Sequence, residues 1–241
     1  MWVYLSPHFD DAVLSVGGLI WEQTRAGEIV EIWTVCAGEP PAGVPLSAFA
    51  QSLHARWGGS VRAVEMRRAE DRSSCRRIGA RPRHFNLPDA IYRIRPDGRA
   101  LIEREEDLQT ALPEEQAVVD VVAAIRKRYS PRMNLVSPLA IGGHVDHRLT
   151  RMAAERLGVR PYYYADYPYV AANTVRLADY IHADWEEVRW VISTQGLEAW
   201  QAAIAEHRSQ ISTFWQGVGE MKAAIADYWG RGGGSILWLA K

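Results

Sequence analysis

The chain has 241 residues, 48% of them hydrophobic, with 28 Lys and Arg against 29 Asp and Glu and a formal net charge of −1. That length suits one large α/β domain or two small ones, and the balanced charge lacks the clustered basic excess that nucleic acid or an anionic membrane requires. A small or neutral substrate is expected, with no nucleic-acid and no membrane partner.

Trp2-Val3-Tyr4-Leu5 reads as a buried strand. No basic segment precedes it and it runs straight into Pro7-His8, so it is too short for a signal-peptide core. No apolar run approaches the ~20 residues that span a bilayer, and neither end carries a lipidation pattern. A soluble, cytoplasmic protein is expected. Residues 11 to 26 carry Val13, Leu14, Gly17, Gly18, Ile20 and Trp21 and stop at Gly27, a pattern suited to a helix packed closely on a sheet. Glu28 to Cys36 reads as a second strand, which gives a βαβ unit starting at residue 2.

The stretch from Pro40 to about Gly59 reads as a long loop flanking a pocket mouth. Helical spacing over Val61 to Ile78 (Val61, Val64, Cys75, Ile78) ends at Gly79. A third strand is expected over Arg83 to Leu87, with Pro88-Asp89 turning the chain past its end. Val118, Val121, Val122 and Ile125 form a helical stripe, and Asn134-Leu135-Val136 is another strand before the loop from Pro138 to Gly143. Leu149, Met152, Ala153 and Leu157 give the next helix its buried face, and 161–165 is a fifth strand. Beyond it, 177–182 and 188–192 read as an antiparallel pair, followed by helices near 196–209 and 217–228 and a last strand at 235–239. With no repeat, low-complexity tract or linker, a single domain over 1–241 is expected. Cys36 and Cys75 lack the spacing of a zinc clip or a disulfide framework and are expected as buried thiols.

Two clusters carry the chemistry, Ser6-Pro7-His8-Phe9-Asp10-Asp11 and His144-Val145-Asp146-His147. Each follows a strand-like run and precedes a helix-like one, so a parallel sheet would bring both to one edge, outside the carboxyl ends of its strands. A catalytic zinc takes three His and carboxylate ligands and keeps one position for water, and His8, Asp11 and His147 supply that set. Asp10 diverges from Asp11 at the turn and is the candidate general base. His144 is three residues from His147, so both rings project from one helical turn. A cationic His144 would stabilise an oxyanion or protonate a departing amine, with Asp146 holding the ring and keeping it charged.

Pro7-His8-Phe9-Asp10-Asp11-Ala12 and His144-Val145-Asp146-His147 resemble the Pro-His-Pro-Asp-Asp-Glu and His-x-Asp-His motifs of the LmbE-like, or PIG-L, zinc-dependent N-deacetylases. The likeness extends to Thr34-Val35-Cys36-Ala37-Gly38, Arg67-Arg68-Ala69-Glu70, Leu87-Pro88-Asp89 and His207-Arg208-Ser209-Gln210, covering roughly residues 3 to 215. Phe9 stands where the family has proline, and Ala12 where it has glutamate. The resemblance implies a Rossmann-like, mostly parallel sheet with helices on both faces and a small antiparallel addition near the C-terminus. It implies Zn2+ on His8, Asp11 and His147, Asp10 as base, and removal of an acetyl group from an N-acetylglucosamine-type sugar or glycoconjugate. Fe2+ or another divalent ion can occupy the same donor set.

Arg67, Arg68 and Asp89 are candidate substrate contacts, and Trp57, His54 and Tyr163 candidate pocket walls. Glu103 to Asp107 reads as a solvated helix end, and His207, spaced with Trp200 and Ile204, as a packed or capping residue. Two rival readings are a non-catalytic Rossmann-like module with a vestigial metal site, binding a sugar or nucleotide, and a phosphoester hydrolase. The absence of Gly-x-Gly-x-x-Gly after strand one argues against a dinucleotide. Phosphoester hydrolysis would call for more carboxylates and a second metal.

Overall fold

The computed structural model describes residues 1–59, 62–172 and 175–241. Strand β1 (Trp2–Ser6) leads into α1 (Asp11–Arg25), and β2 (Val30–Thr34) lies parallel to β1. Helices α2 (Ala48–Arg56) and α3 (Ala63–Arg77) precede β3 (Arg81–His84), and α4 (Asp107–Thr110) and α5 (Glu115–Arg126) precede β4 (Asn134–Pro138). Helix α6 (Val145–Glu155) connects β4 to β5 (Tyr162–Tyr164). The chain finishes with β6 (Glu186–Arg189), α7 (Thr194–Ile204), α8 (Arg208–Phe214), α9 (Val218–Gly230) and β7 (Ile236–Leu239).

The sheet order is β3-β2-β1-β4-β5-β7-β6. The first five strands are parallel, and β7 runs antiparallel to both β5 and β6. Every residue of β1 is buried because the sheet is covered on both faces. Alternation divides the strand: Trp2 and Tyr4 join the core under α1, α7 and α9, whereas Val3 and Leu5 join the core under α5 and α6. Chain order reverses between β1 and β4, so the loops leaving these two neighbours open a crevice at their carboxyl ends. Among the described residues no helix is long and apolar enough to cross a membrane.

Several expectations are corrected. The glycines of α1 pack on a helix rather than on the sheet: a Cβ on Gly17 would lie 2.5 Å from Trp200 Cδ1. The backbone of α1 leaves helical geometry at Val16, and the Val13 carbonyl accepts the Trp200 indole N–H at 2.6 Å. The expected loop 40–59 contains α2, capped by Ser47 Oγ accepting from Ala50 N at 3.1 Å. Only Ala50 of that helix is buried, so no apolar stripe advertises it. Helix α3 begins at Ala63, and Val61 lies outside the described residues.

Strand β3 starts two residues earlier than expected, directly after the Gly79 turn, and beyond it the pairing continues through the Phe85 N to Thr34 O bond and an isolated bridge, Gly38 to Pro88. Residues 177–179 form a 3-10 turn rather than a strand, and β6 pairs with β7 instead. Leu177 packs, part-buried, against the cluster that includes Leu139, Tyr163 and Trp238, so the turn is held by side-chain packing rather than by a ladder. The helix expected over 196–209 ends at Ile204, and α8 restarts at Arg208.

Candidate active site

The turn after β1 is braced by Ser6, whose hydroxyl donates to the His8 carbonyl (2.5 Å) and accepts from Ala12 N (3.0 Å). His8 N donates to Asp11 Oδ2 at 2.7 Å, which folds the Asp11 carboxylate back beside the His8 ring. Phe9 is buried among Ala37, Trp57, Ala90 and Ile91, so the turn is held by packing where the family has proline. After β4, Gly142 takes φ +87, and a Cβ there would meet the Tyr169 ring at 2.7 Å. His144 then caps α6, its Nδ1 accepting from Asp146 N at 3.1 Å. That bond leaves the ring proton of a neutral His144 on Nε2.

The two loops meet at one oxygen. Asp11 Oδ2 lies 3.0 Å from His8 Nδ1 and 3.3 Å from His147 Nε2. The far side of each ring already faces another acid: His8 Nε2 stands 3.0 Å from Asp146 Oδ2, and His147 Nδ1 stands 2.7 Å from Asp166 Oδ1. A neutral imidazole has one N–H to give. If Asp146 and Asp166 accept those N–H bonds, two lone pairs converge on an anionic oxygen, an arrangement that could hold a cation between them. Ligands at ~2.0–2.1 Å around a tetrahedral zinc are ~3.3 Å apart, so the observed separations suit that role.

Electrostatics follow the same layout. Burial lowers the His8 pKa, but the Asp89 and Asp11 carboxylates outweigh it and hold the ring well above its ordinary value. Burial lowers His147 too, yet Asp11 and Asp166 raise it to about 10. Burial tends to raise Asp11, and the facing His147 and His8 bring it well below the usual carboxylate range. Asp166 is raised, because burial outweighs its bond to His147.

His144 behaves otherwise. Burial first, then the neighbouring His8 and His147, push it down to about 3, so the ring is neutral rather than the expected cation. Asp146 does not hold that ring through its carboxylate. Its two oxygens accept from Arg93 Nη2 (2.6 Å) and Ala90 N (2.9 Å) and face His8. Only its backbone N–H reaches His144. A second possible donor set, His8, His144 and Asp146, shares these groups. Its His144 Nδ1 and Asp146 carboxylate are occupied by the bonds just given, which favours the set centred on Asp11.

Around this centre lies a pocket of about 280 Å³, lined by Asp10, Arg67, Asp89, Trp57, Tyr169 and Gln210 among others. Asp10 Oδ1 accepts from Arg67 Nη2 at 3.3 Å, and the Arg67 guanidinium lies 4.7 Å from the Trp57 ring centroid and 5.2 Å from that of Phe9. Asp89 caps the turn at 90–92 through Ile91 N, and its other oxygen stands 3.9 Å from Arg67 Nη1.

Arg68 is not in the pocket. Its guanidinium clamps the Ala37 carbonyl (2.5 and 3.1 Å) and Glu39 (2.7 Å), because α3 turns consecutive side chains in different directions. Tyr163 stacks on Trp185 at 4.7 Å on the far part of the sheet, and His54 bonds the Tyr92 hydroxyl at 2.6 Å beside a separate depression. His207 is buried but makes no capping bond. Of the acidic run, Asp107 Oδ2 accepts from Glu103 N and Arg104 N, and Glu105 reaches the pocket rim. Sequence reasoning missed Asp166 and Arg93. Asp166 follows β5 as the other acids follow β1 and β4, and that position was the available signal.

Residues 3–158 match the family described as PIG-L, GlcNAc-PI de-N-acetylase. A 2′-N-acetylparomamine deacetylase of Niallia circulans is 27% identical over 228 residues, 87% of this chain and 80% of its own. Among solved structures, a deacetylase complex from the teicoplanin biosynthesis pathway superposes with a TM-score of 0.76 at 26% identity, covering 99% of this chain and 96% of that one. The zinc-inhibited form of teicoplanin deacetylase gives 0.76 at 25% identity, with 99% and 97% covered.

Proposed function

This chain belongs to the PIG-L family of N-deacetylases, and from that premise we propose that it is a divalent-metal-dependent enzyme, using zinc, that removes the acetyl group from an N-acetylglucosamine-type sugar or glycoconjugate. One observation carries the reading: two imidazoles aimed at a single Asp11 oxygen, each held from behind by another carboxylate. The deacetylase relatives support the activity, and the zinc-inhibited form of the teicoplanin deacetylase supports a divalent-metal site without deciding which ion serves the reaction. The sheet includes all seven described strands, which supports one deacetylase domain over 1–241.

His8, Asp11 and His147 would hold the ion, which would acidify a water and polarise the acyl carbonyl. Asp10 accepts the proton of the attacking water, its carboxylate oriented by Arg67. His144 donates from Nε2 to the developing oxyanion, its ring fixed by the bond from Asp146 N to Nδ1. Asp166 and Asp146 fix the tautomers of the two imidazole ligands. Arg67, Asp89, Trp57 and Gln210 line the sugar side. The test is acetate release from a panel of N-acetylated amino sugars by protein loaded with Zn2+ and, in parallel, Fe2+. Release with either ion is expected, and its absence across the panel would sink the activity.

A further inference from the structure

Arg67 holds the candidate base, yet its own hydrogen bonds do little to hold Arg67. The side chain is buried, its bond to Asp10 is long at 3.3 Å, Asp89 Oδ2 stands 3.9 Å from Nη1, and Nε is buried without a hydrogen-bond partner among the described residues. One long bond does not fix the plane of a guanidinium. The remaining contacts are aromatic: Arg67 Cζ lies over the Trp57 ring, 4.7 Å from its centroid, and over the Phe9 ring at 5.2 Å. A cation over a ring face is attracted by the ring quadrupole, more strongly where water is excluded, and both rings are buried.

Phe9 is itself fixed. Its ring packs in the cluster with Ala37, Ala90 and Ile91, and the ring of His84, at the end of β3, meets it edge to face with centroids 5.4 Å apart. His84 Nε2 lies 2.6 Å from Asp71 Oδ2, a fully buried carboxylate four residues beyond Arg67 on α3. Residues at that spacing share a helix face, so one face of α3 supplies both the guanidinium over Phe9 and the acid that anchors the ring beside it. Phe9 lies behind the wall of the pocket rather than in it, which leaves Arg67 as its route to the chemistry. Proline, the residue of the family at this position, has no π face, so the arrangement belongs to this chain.

We propose that Phe9 is a positioning residue for the reaction: with Trp57 it forms an aromatic clasp that fixes the Arg67 guanidinium, and through it the carboxylate of Asp10. The inference rests on the deacetylase reading for the role of Asp10 as base. The clasp itself does not.

Two measurements on zinc-loaded protein test it. The first is a double-mutant cycle of Phe9→Leu, Arg67→Lys and both together, read as acetate release per bound zinc from the N-acetylated amino sugar that the unsubstituted protein cleaves fastest. Leucine keeps an apolar side chain without a π face, and lysine keeps the charge without the planar fork. Phe9→Leu is expected to lower kcat ~10-fold with zinc affinity unchanged in a chelator competition, and Phe9→Tyr to retain kcat. The double variant should be no slower than Arg67→Lys, because the ring acts through the guanidinium. Losses that multiply, full kcat in Phe9→Leu, or a loss accounted for by weaker zinc binding overturns the proposal. The second measurement is the NMR signal of the Arg67 Nε–H, identified by its disappearance in Arg67→Lys. Ring currents should place it upfield of the other arginine Nε–H signals, and Phe9→Leu should return it toward them while Phe9→Tyr does not. A signal unmoved by Phe9→Leu overturns the clasp whatever the kinetics show. Absence of acetate release by the unsubstituted protein contradicts the deacetylase reading instead, and the NMR comparison then decides the clasp.

Discussion

The two sides of the pocket are built on different principles. On the sheet side, the loops after β1 and β4 deliver His8, Asp10, Asp11 and His147, and each is held by a further charged or polar group. On the opposite side, α2 and α8 present Phe49, Leu53, Trp57 and Phe214, which pack but bond little, and the buried Thr213 hydroxyl there has no partner. The difference teaches that chemistry is fixed by strand ends while the ligand's shape is read by helices laid over them. Substitutions on the first side should therefore abolish turnover or metal binding, and those outside it should change stability or fit.

The largest effect is expected at Asp10. Asp10→Asn should lower kcat by roughly 10²- to 10⁴-fold while the zinc content, measured by elemental analysis, stays at the unsubstituted level. A variant that kept its turnover would move the base elsewhere. Next is Asp166→Ala, which frees His147 to rotate and should weaken metal affinity roughly 10- to 100-fold in a chelator competition. Unchanged affinity would show that the Asp166 bond does not orient a ligand.

The pH dependence of the metal-free protein comes third. His8 and His147 have folded pKa values above their unfolded ~6.5, reaching about 10 for His147. Their contribution to stability is thus fully present below about pH 6.5 and fades as pH rises through the native values. Chelated protein should lose melting temperature from pH 6.5 to 10 relative to zinc-loaded protein, in which the ion replaces both protons. Parallel curves for the two forms would contradict the shared site.

The smallest catalytic effect is expected at Arg68. Arg68→Ala removes the clamp on the Ala37 carbonyl and should cost about 1.5–3 kcal/mol of stability, read by denaturant melts, with kcat/KM nearly unchanged. A large loss of kcat/KM at full folding would return Arg68 to the pocket side.

The same contrast explains what could be read from the chain. His8, Asp10, Asp11 and His147 are legible because each lies just past a strand whose apolar run is unmistakable, and parallel order gathers such positions at one edge. Asp146 was visible as a residue but not as a function: its carboxylate turns to Arg93 and Ala90, two partners more than fifty residues away that no local pattern ties to it. Helix α2 was illegible because it is half-exposed and covers a pocket rather than a core. The β6 and β7 pairing was missed because the segment around 177–179 packs by its side chains, leaving the ladder to a strand near the end of the chain.

The central claim is that one ion sits among His8, Asp11 and His147. Its most direct test is a crystal structure of the zinc-loaded protein with anomalous data collected on both sides of the zinc absorption edge. The account predicts a single strong peak within bonding distance of His8 Nδ1, an Asp11 carboxylate oxygen and His147 Nε2, with Asp10 and His144 outside bonding distance. A peak centred on His144 and Asp146 instead, or none at a full equivalent of zinc, would contradict it.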